Sequence, residues 1–295
     1  MEQYSDEELW SELSARMHKT IQAKSEQLNL LKELEAVNKK LKDSERLKTN
    51  FLSNIRNEII NPFTSILSLS KMILSIDSTN IEKIRAMISL IHLESFELDF
   101  QFKNIFAAAA IEAGEFYPDY SNVNINALLH ETVKQFSSKA DQKQIDVQIE
   151  KNEEEYSFVT DPEKFQLIVS NLLSNAIKYS HAAGEVKISA VCENDQLLLT
   201  VQDKGIGFDK VSEEEIFNRF TQLDSGLTRS YGGHGLGLSV TRSAVELLEG
   251  EIKVSGKKNA GCVVTILLPQ GSHKKQFLDE SESGNEIFFH HSEKF

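Results

Sequence analysis

The stretch FLSNIRNEIINPFTSIL, residues 51–67, decides how the first half of this chain folds. Phe51, Leu52, Ile55, Ile59, Phe63, Ile66 and Leu67 recur at three- and four-residue steps, the spacing of one apolar stripe on an amphipathic helix. Pro62 falls inside the stripe, and a proline in a helix interior removes a backbone donor at a cost of about 3 kcal/mol. Because the apolar period continues beyond it, the sequence predicts a kink and not a stop. Helical spacing brings Asn57, Glu58 and Asn61 near one another just before that kink.

Outward from this stretch the pattern stays helical on both sides. Residues 5–49 contain neither Gly nor Pro, and Leu9, Leu13, Met17 and Ile21, then Leu30, Leu34, Val37 and Leu41, form a thin apolar seam between charged flanks. Such a seam buries itself against a partner helix, so residues 1–45 read as a coiled coil. The seam changes step between Ile21 and Leu30 and again before Leu47, which leaves a solvated single helix as the alternative. The core helix should run over 45–76, with DSTN at 77–80 supplying turn and cap residues. Ile84, Ile88, Ile91, Leu98, Phe102, Ile105 and Ala109 trace the apolar face of a second helix that ends at Gly114. The two make an antiparallel hairpin over 46–115, and an apolar hairpin pairs with another copy to give a dimeric four-helix bundle.

Bulk properties set the class. The 295 residues allow one large or two ordinary domains, and 40% hydrophobic content supports a real core. A formal charge of −13 argues against a nucleic-acid-binding face. No apolar run approaches the roughly 20 residues of a membrane span, and MEQYSDEELW is acidic where a signal peptide is basic, so a cytoplasmic location with no direct membrane span is expected. Cys192 and Cys262 lie in apolar strand-like runs without metal-ligand spacing and read as buried reduced thiols.

From about residue 122 to 269 the composition shifts to an α/β domain. Helices are expected at 126–138, 162–179 and 236–248, and strands at 144–149, 185–192, 196–202, 251–254 and 262–268. Asp161-Pro162 reads as a cap followed by a first-turn proline, and Gly250 as the close of the last helix. The arrangement implies an α+β sandwich, a mixed sheet covered on one face by helices. The tail 270–295 is polar and reads as unstructured; His290 and His291 within it carry no metal spacing.

Three motifs in this domain carry chemistry. In NLLSNAIKYS, 171–180, Asn171, Asn175 and Lys178 fall on nearly one helix face; a carboxamide oxygen can ligate Mg²⁺ and a lysine can neutralise phosphate. In DKGIGF, 203–208, Gly205 and Gly207 allow a sharp turn beside a flat ligand, while Asp203 can accept a hydrogen bond from an exocyclic amine such as adenine N6. In YGGHGLGLSV, 231–240, glycines open a helix whose free N–H groups can cradle phosphates.

Taken with IFNRFTQLDSGLTRSYGGHGLGL, these motifs resemble, in order and spacing, the N-box, first glycine box, F-box and second glycine box of the sensor histidine kinase ATP-binding domain. The residue 51–67 stretch resembles the H-box of the same family, and the Ile-Glu-Ala-Gly run at 111–114 resembles the exit from its dimerisation and histidine-phosphotransfer hairpin. The resemblance covers about 51–269 and implies an ATP-binding catalytic domain over 122–269. It implies that Asn175 holds Mg²⁺, that Asp203 reads adenine with Gly205 and Gly207 at its turn, and that Asn171, Lys178, Tyr179 and Arg219 line the ATP site. Gly233, Gly235, Leu236 and Gly237 would receive the phosphates, beneath a lid formed by 210–231.

One position departs from the family pattern. Where the phosphoaccepting histidine belongs stands Asn57, whose amide nitrogen lone pair is delocalised and cannot act as the nucleophile. Self-phosphorylation at residue 57 is therefore not expected, although Glu58 remains as the neighbouring base. His92, beside Ile91 and Leu93, reads as a packed or partly buried core residue, and His130 before Glu131 copies the motif without its proline. Glu58 and Asn61 keep the acidic-x-x-Asn spacing with which the family dephosphorylates the receiver domain of a response regulator; alternatively Asn61 only precedes the kink. Three readings follow: a histidine-kinase-family enzyme of a two-component system, either defective in self-phosphorylation, acting in trans on a partner protomer that has a histidine, or acting as a phosphatase; a non-enzymatic pseudokinase regulator that dimerises with an active kinase; or a gyrase-, chaperone- or mismatch-repair-type ATPase. The helical hairpin and the F-box-like run speak against the third. Partners implied are a response regulator receiver domain and a second protomer, as homodimer or as heterodimer with another histidine kinase.

Overall fold

A computed structural model of the chain describes residues 6–77, 79–150, 157–209, 216–217 and 235–271. The tail beyond 271, with His290 and His291, and most of the expected lid lie outside the described residues. The first element is a single helix α1, Asp6–Ser75, of 70 residues with Pro62 inside it. The helix continues through the proline, as the unbroken period predicts, and the ring leaves the Glu58 carbonyl without its intrahelical donor. Among the described residues no helix is long and apolar enough to cross a membrane.

Helix α2, Ile81–Ala113, returns antiparallel to α1 and is bounded as the turn chemistry requires. The Asn80 side chain accepts from the Lys83 N–H, and Gly114 closes the helix at φ 71°, a conformation open to glycine. Its most buried positions differ from the expected stripe, of which Ile84, Ile91, Leu98, Phe102 and Ile105 are half-buried. Met87, Phe100, Asn104 and Ala107 are buried, while Ile88 and Ala109 are exposed. The reason is that α2 has two apolar sides: the buried one packs within the chain, and the other faces outward. Phe96 and Phe100 meet Phe136 edge-on at 5.1 and 5.7 Å between ring centroids, and Glu97 pairs with Lys139 at 2.6 Å. His92, expected to be packed or partly buried, is exposed.

The second half begins with strand β1, Ser121–Asn124, followed by α3, Ile125–Gln135, and the short α4, Ser137–Gln142. Strands β2, Asp146–Ile149, and β3, Ser157–Thr160, precede α5, Pro162–Tyr179. Then come β4, Glu185–Glu193, β5, Gln196–Asp203, α6, Gly237–Leu247, β6, Glu251–Gly256, and β7, Cys262–Pro269. The main sheet has order β2-β4-β5-β7-β6, with β2 and β4 parallel and every other pair antiparallel. It is a mixed sheet with helices on one face, as expected. Alternation explains why: Val186, Ile188 and Ala190, Leu197, Leu199 and Val201, and Val264, Ile266 and Leu268 all point inward. They meet Phe165, Ile168, Val169, Leu172, Leu173 and Ile177 of α5, whose interior is buried on nearly all sides.

Asp161 fixes the start of α5. One carboxylate oxygen accepts the Lys164 N–H at 2.9 Å, and the other takes the Asp119 N–H at 2.7 Å and the Lys164 ammonium at 3.2 Å. With 1% exposure, this side chain joins the entry to the domain to the helix at its centre.

Several boundaries differ from expectation for local reasons. The pair β1 and β3 was not anticipated, being four residues each with little alternation to read. The expected strand at 144 starts at Asp146 because Gln144 sits at φ 56°, outside extended backbone. The helix expected over 126–138 starts one residue earlier, capped by Asn124 onto the Ala127 N–H, and breaks at Phe136 into α3 and α4. At the end of α6 the left-handed residue is Glu249, and Gly250 follows it against the side chains of Leu268 and Val245. Cys192 and Cys262 are free thiols as expected, but half-buried. Truncating Leu173, fully enclosed between α5 and the sheet, is expected to cost about 2–5 kcal/mol; the denaturant midpoint of Leu173→Ala checks this.

Candidate functional site

The three sequence motifs arrive at one place because α5, β5 and α6 all end or begin there. Ser180, just past α5, bridges Gly205, just past β5. The Ile206 N–H donates to the Tyr179 carbonyl at 3.1 Å. A Cβ at Gly237, the first residue of α6, would lie 3.2 Å from Asn171 Oδ1. Helix, strand end and helix start therefore surround a common space.

Asp203 ends β5 with 8% of its surface exposed. Its Oδ1 accepts the Gly205 N–H at 2.8 Å. Burial pushes its pKa up from the ordinary aspartate value, opposed in part by the backbone N–H groups of Gly205 and Cys262 and by the positive field of His181. Gly205 is required by close approach: a Cβ there would collide with the Tyr179 carbonyl. Gly207, at φ 56°, turns the chain so tightly against the Lys257 carbonyl that no side chain fits. These two glycines build the turn that aims Asp203. Beside it, the Cys262 thiol is pushed up to about 12 by burial and by the Asp203 charge, so it stays a neutral thiol.

On α5, Asn171 is 1% exposed, and neither its Nδ2 nor its Oδ1 has a hydrogen-bond partner among the described residues. A buried, unpaired carboxamide is costly and calls for a ligand or water. Asn175 and Lys178 follow at four and seven residues' distance and are half-buried, with the Lys178 ammonium 4.7 Å from the centroid of the Tyr179 ring. Gly235 sits at φ 68°, ahead of Leu236, whose side chain packs with Ala107 of α2 and Val240. Leu236 thus offers backbone to the site and side chain to the hairpin. Ser180, its hydroxyl buried and without a hydrogen-bond partner among the described residues, and His181 carry no motif of their own in the sequence; their adjacency to Tyr179 is the available signal. Arg219 and Gly233 lie outside the described residues. Asn57, Glu58 and Asn61 belong to α1; Asn61 is exposed and shares no hydrogen bond or ion pair with this cluster among the described residues.

Residues 160–272 match the family described as Histidine kinase-, DNA gyrase B-, and HSP90-like ATPase. The circadian input-output histidine kinase CikA of Synechococcus elongatus is 30% identical over 226 residues, covering 76% of this chain and 30% of its own. The sensor histidine kinase GacS of Pseudomonas protegens is 31% identical over 250 residues, covering 80% of this chain and 26% of its own. This chain is a transmitter core of the sensor histidine kinase family. It spans less than a third of the length of either relative. Among solved structures, full-length ShkA aligns over 77% of this transmitter core and 46% of that chain, with a TM-score of 0.52 and 21% identity, and shares its fold.

The residues of the transmitter core fit the nucleotide that its ATPase domain implies. Asn171 presents an unsatisfied amide, Asp203 a buried acceptor, and the start of α6 approaches both without side chains. Among the described residues no cluster of three His, Cys, Asp or Glu side chains forms a metal cage. A magnesium ion bound through one carboxamide and substrate phosphates needs no such cage.

The raised pKa of Asp203 has a definite sign for stability. Its folded value lies above its unfolded value, so the folded state binds the proton more tightly and stability falls as pH rises through that window. At neutral pH the ionised group destabilises the fold. Asp203→Asn is therefore expected to raise Tm at pH 7, with the gain vanishing as pH falls and the carboxylate protonates; paired thermal melts across pH read this directly.

Proposed function

We propose that this transmitter core binds Mg-ATP in a two-component system, does not phosphorylate itself at residue 57, and acts on a response regulator as a phosphatase. The observation that carries the nucleotide reading is the unpaired Asn171 amide facing the glycine start of α6, close to the buried Asp203 carboxylate. Asp203 would accept from the adenine amine, Lys178 would neutralise phosphate, and Tyr179, Gly235 and the first N–H groups of α6 would enclose the ligand. Arg219 and Gly233 belong to the same proposal through their motifs. Magnesium held by Asn175 would supply charge neutralisation across the phosphates. The ShkA structure that shares this fold holds AMPPNP, a further support.

At residue 57 the chemistry decides. An amide offers hydrogen bonds but no nucleophilic lone pair, so Asn57 receives no phosphoryl group. Asn61 is exposed on α1, one residue before Pro62, where an amide can orient a water toward a phosphorylated carboxylate on a docked receiver domain, and Glu58 precedes it by three residues in the sequence.

Dimerisation belongs to the same reading. Ile60, Phe63, Leu67 and Leu74 of α1 and Ile81 and Ile88 of α2 are exposed, Leu74 at 87%. A second hairpin covers such a face, and the exposed Met17, Leu30, Leu34 and Val37 extend the contact as a coiled coil. The same surface suits an active histidine kinase as partner, which favours the pseudokinase regulator as the second reading.

Incubation with γ-labelled ATP and Mg²⁺ tests the core of this. The chain as it stands should take up no label at residue 57, while Asn57→His should gain an acid-labile, base-stable label. A label on the unaltered chain would overturn the reading. For the phosphatase step, a phosphorylated cognate receiver domain should lose phosphate faster with the protein than without it, and Asn61→Ala should abolish the difference; equal decay in both would exclude the activity.

A further inference from the structure

The last turn of α5 is capped from outside the helix. A helix leaves its final four carbonyls without intrahelical donors. Here the Ala176 carbonyl accepts the Ser180 N–H at 3.0 Å, and the Tyr179 carbonyl accepts the Ile206 N–H at 3.1 Å. The two between them are met by one side chain. Lys143, the residue just past α4, donates its ammonium to the Ile177 carbonyl at 3.1 Å and to the Lys178 carbonyl at 2.5 Å. Its backbone carbonyl also accepts the Ala183 N–H at 3.0 Å, so Lys143 grips the chain on both sides of residues 178–180.

This arrangement determines what Lys178 is left to do. A lysine in the last turn of a helix ordinarily folds back onto its own terminal carbonyls, where the helix dipole favours a cation. Lys143 already occupies that place. The two ammonium groups repel each other, as the lowering of the Lys143 pKa by burial first and then by Lys139 and Lys178 registers. Lys178 instead lies over the Tyr179 ring. We propose that Lys143 is a positioning residue of the nucleotide site: by capping α5 it denies Lys178 the helix end and commits that ammonium to the phosphate groups of the bound nucleotide. The inference rests on the ATP-binding reading above. Lys143 itself touches no ligand.

Calorimetric titration of the full chain with ATP and with adenosine separates this role from general support of the fold. Lys143→Met should weaken ATP by about tenfold, the scale of one charge-assisted contact, and leave adenosine within about twofold. Lys178→Met should do the same, and the double variant should be no weaker than either alone, since both remove one contact. Lys143→Arg, which keeps the cation and its donors, should recover most of the ATP affinity. Parallel weakening of ATP and adenosine in Lys143→Met would overturn the proposal, as would additive losses in the double variant or unchanged ATP binding in Lys143→Met. If the unaltered chain binds neither compound, the nucleotide reading fails and takes this one with it; if it binds ATP and the variants behave otherwise than stated, only the role of Lys143 fails.

Discussion

The buried carboxylate of Asp161 is the constraint on which the C-terminal half depends. With both oxygens committed, it starts α5 at a fixed point and ties that point to the chain arriving from the hairpin at Asp119. Nearly everything functional then follows from the direction of α5. Ten of its residues are buried, so the helix cannot rotate without exposing core, and Asn171 is held facing the start of α6. The opposite end is held by Lys143 and by the Ile206 amide, which brings the turn after β5 into contact with it. The site is thus defined by one helix clamped at both ends.

A second consequence concerns the relation between the halves. Phe136 occupies the break between α3 and α4, and the rings of Phe96 and Phe100 close on it from α2. Ala107 packs with Leu236 and Val240 at the start of α6. Between these two apolar contacts lies Asn104, buried, with its Nδ2 on the Phe100 carbonyl and its Oδ1 without a partner among the described residues. An unsatisfied acceptor at a contact subtracts from its strength. The hairpin is therefore held to the ATPase domain by ring packing and the Glu97–Lys139 pair, against a polar penalty in the middle.

Much of this was legible in the sequence. The Asp161-Pro162 start of α5, the glycine end of α2 and the passage of α1 through Pro62 are all local signals, and local chemistry decided them. The apolar alternation of β4, β5 and β7 gave the layer of helices. What was not legible depends on contacts distant in sequence. Which stripe of α2 is buried is settled by Phe136, about 40 residues away, and a helix with two apolar sides carries no sign of which faces inward. The pairing of β1 with β3 needs a partner to exist at all. In the site, Asp203 and Asn171 were recognisable because their motifs are; Lys143 was not, because a lysine at a helix end looks like any solvated residue until its carbonyls are found.

Helix α1 has a mechanical meaning beyond its apolar seam. At about 1.5 Å per residue its 70 residues form a rod of about 105 Å. A rod of this kind bends most easily where an intrahelical hydrogen bond is missing. That point is the Glu58 carbonyl, left without a donor by Pro62. The missing hydrogen bond therefore falls within residues 57–61, so the backbone of the rod is least tied where the H-box-like stretch lies.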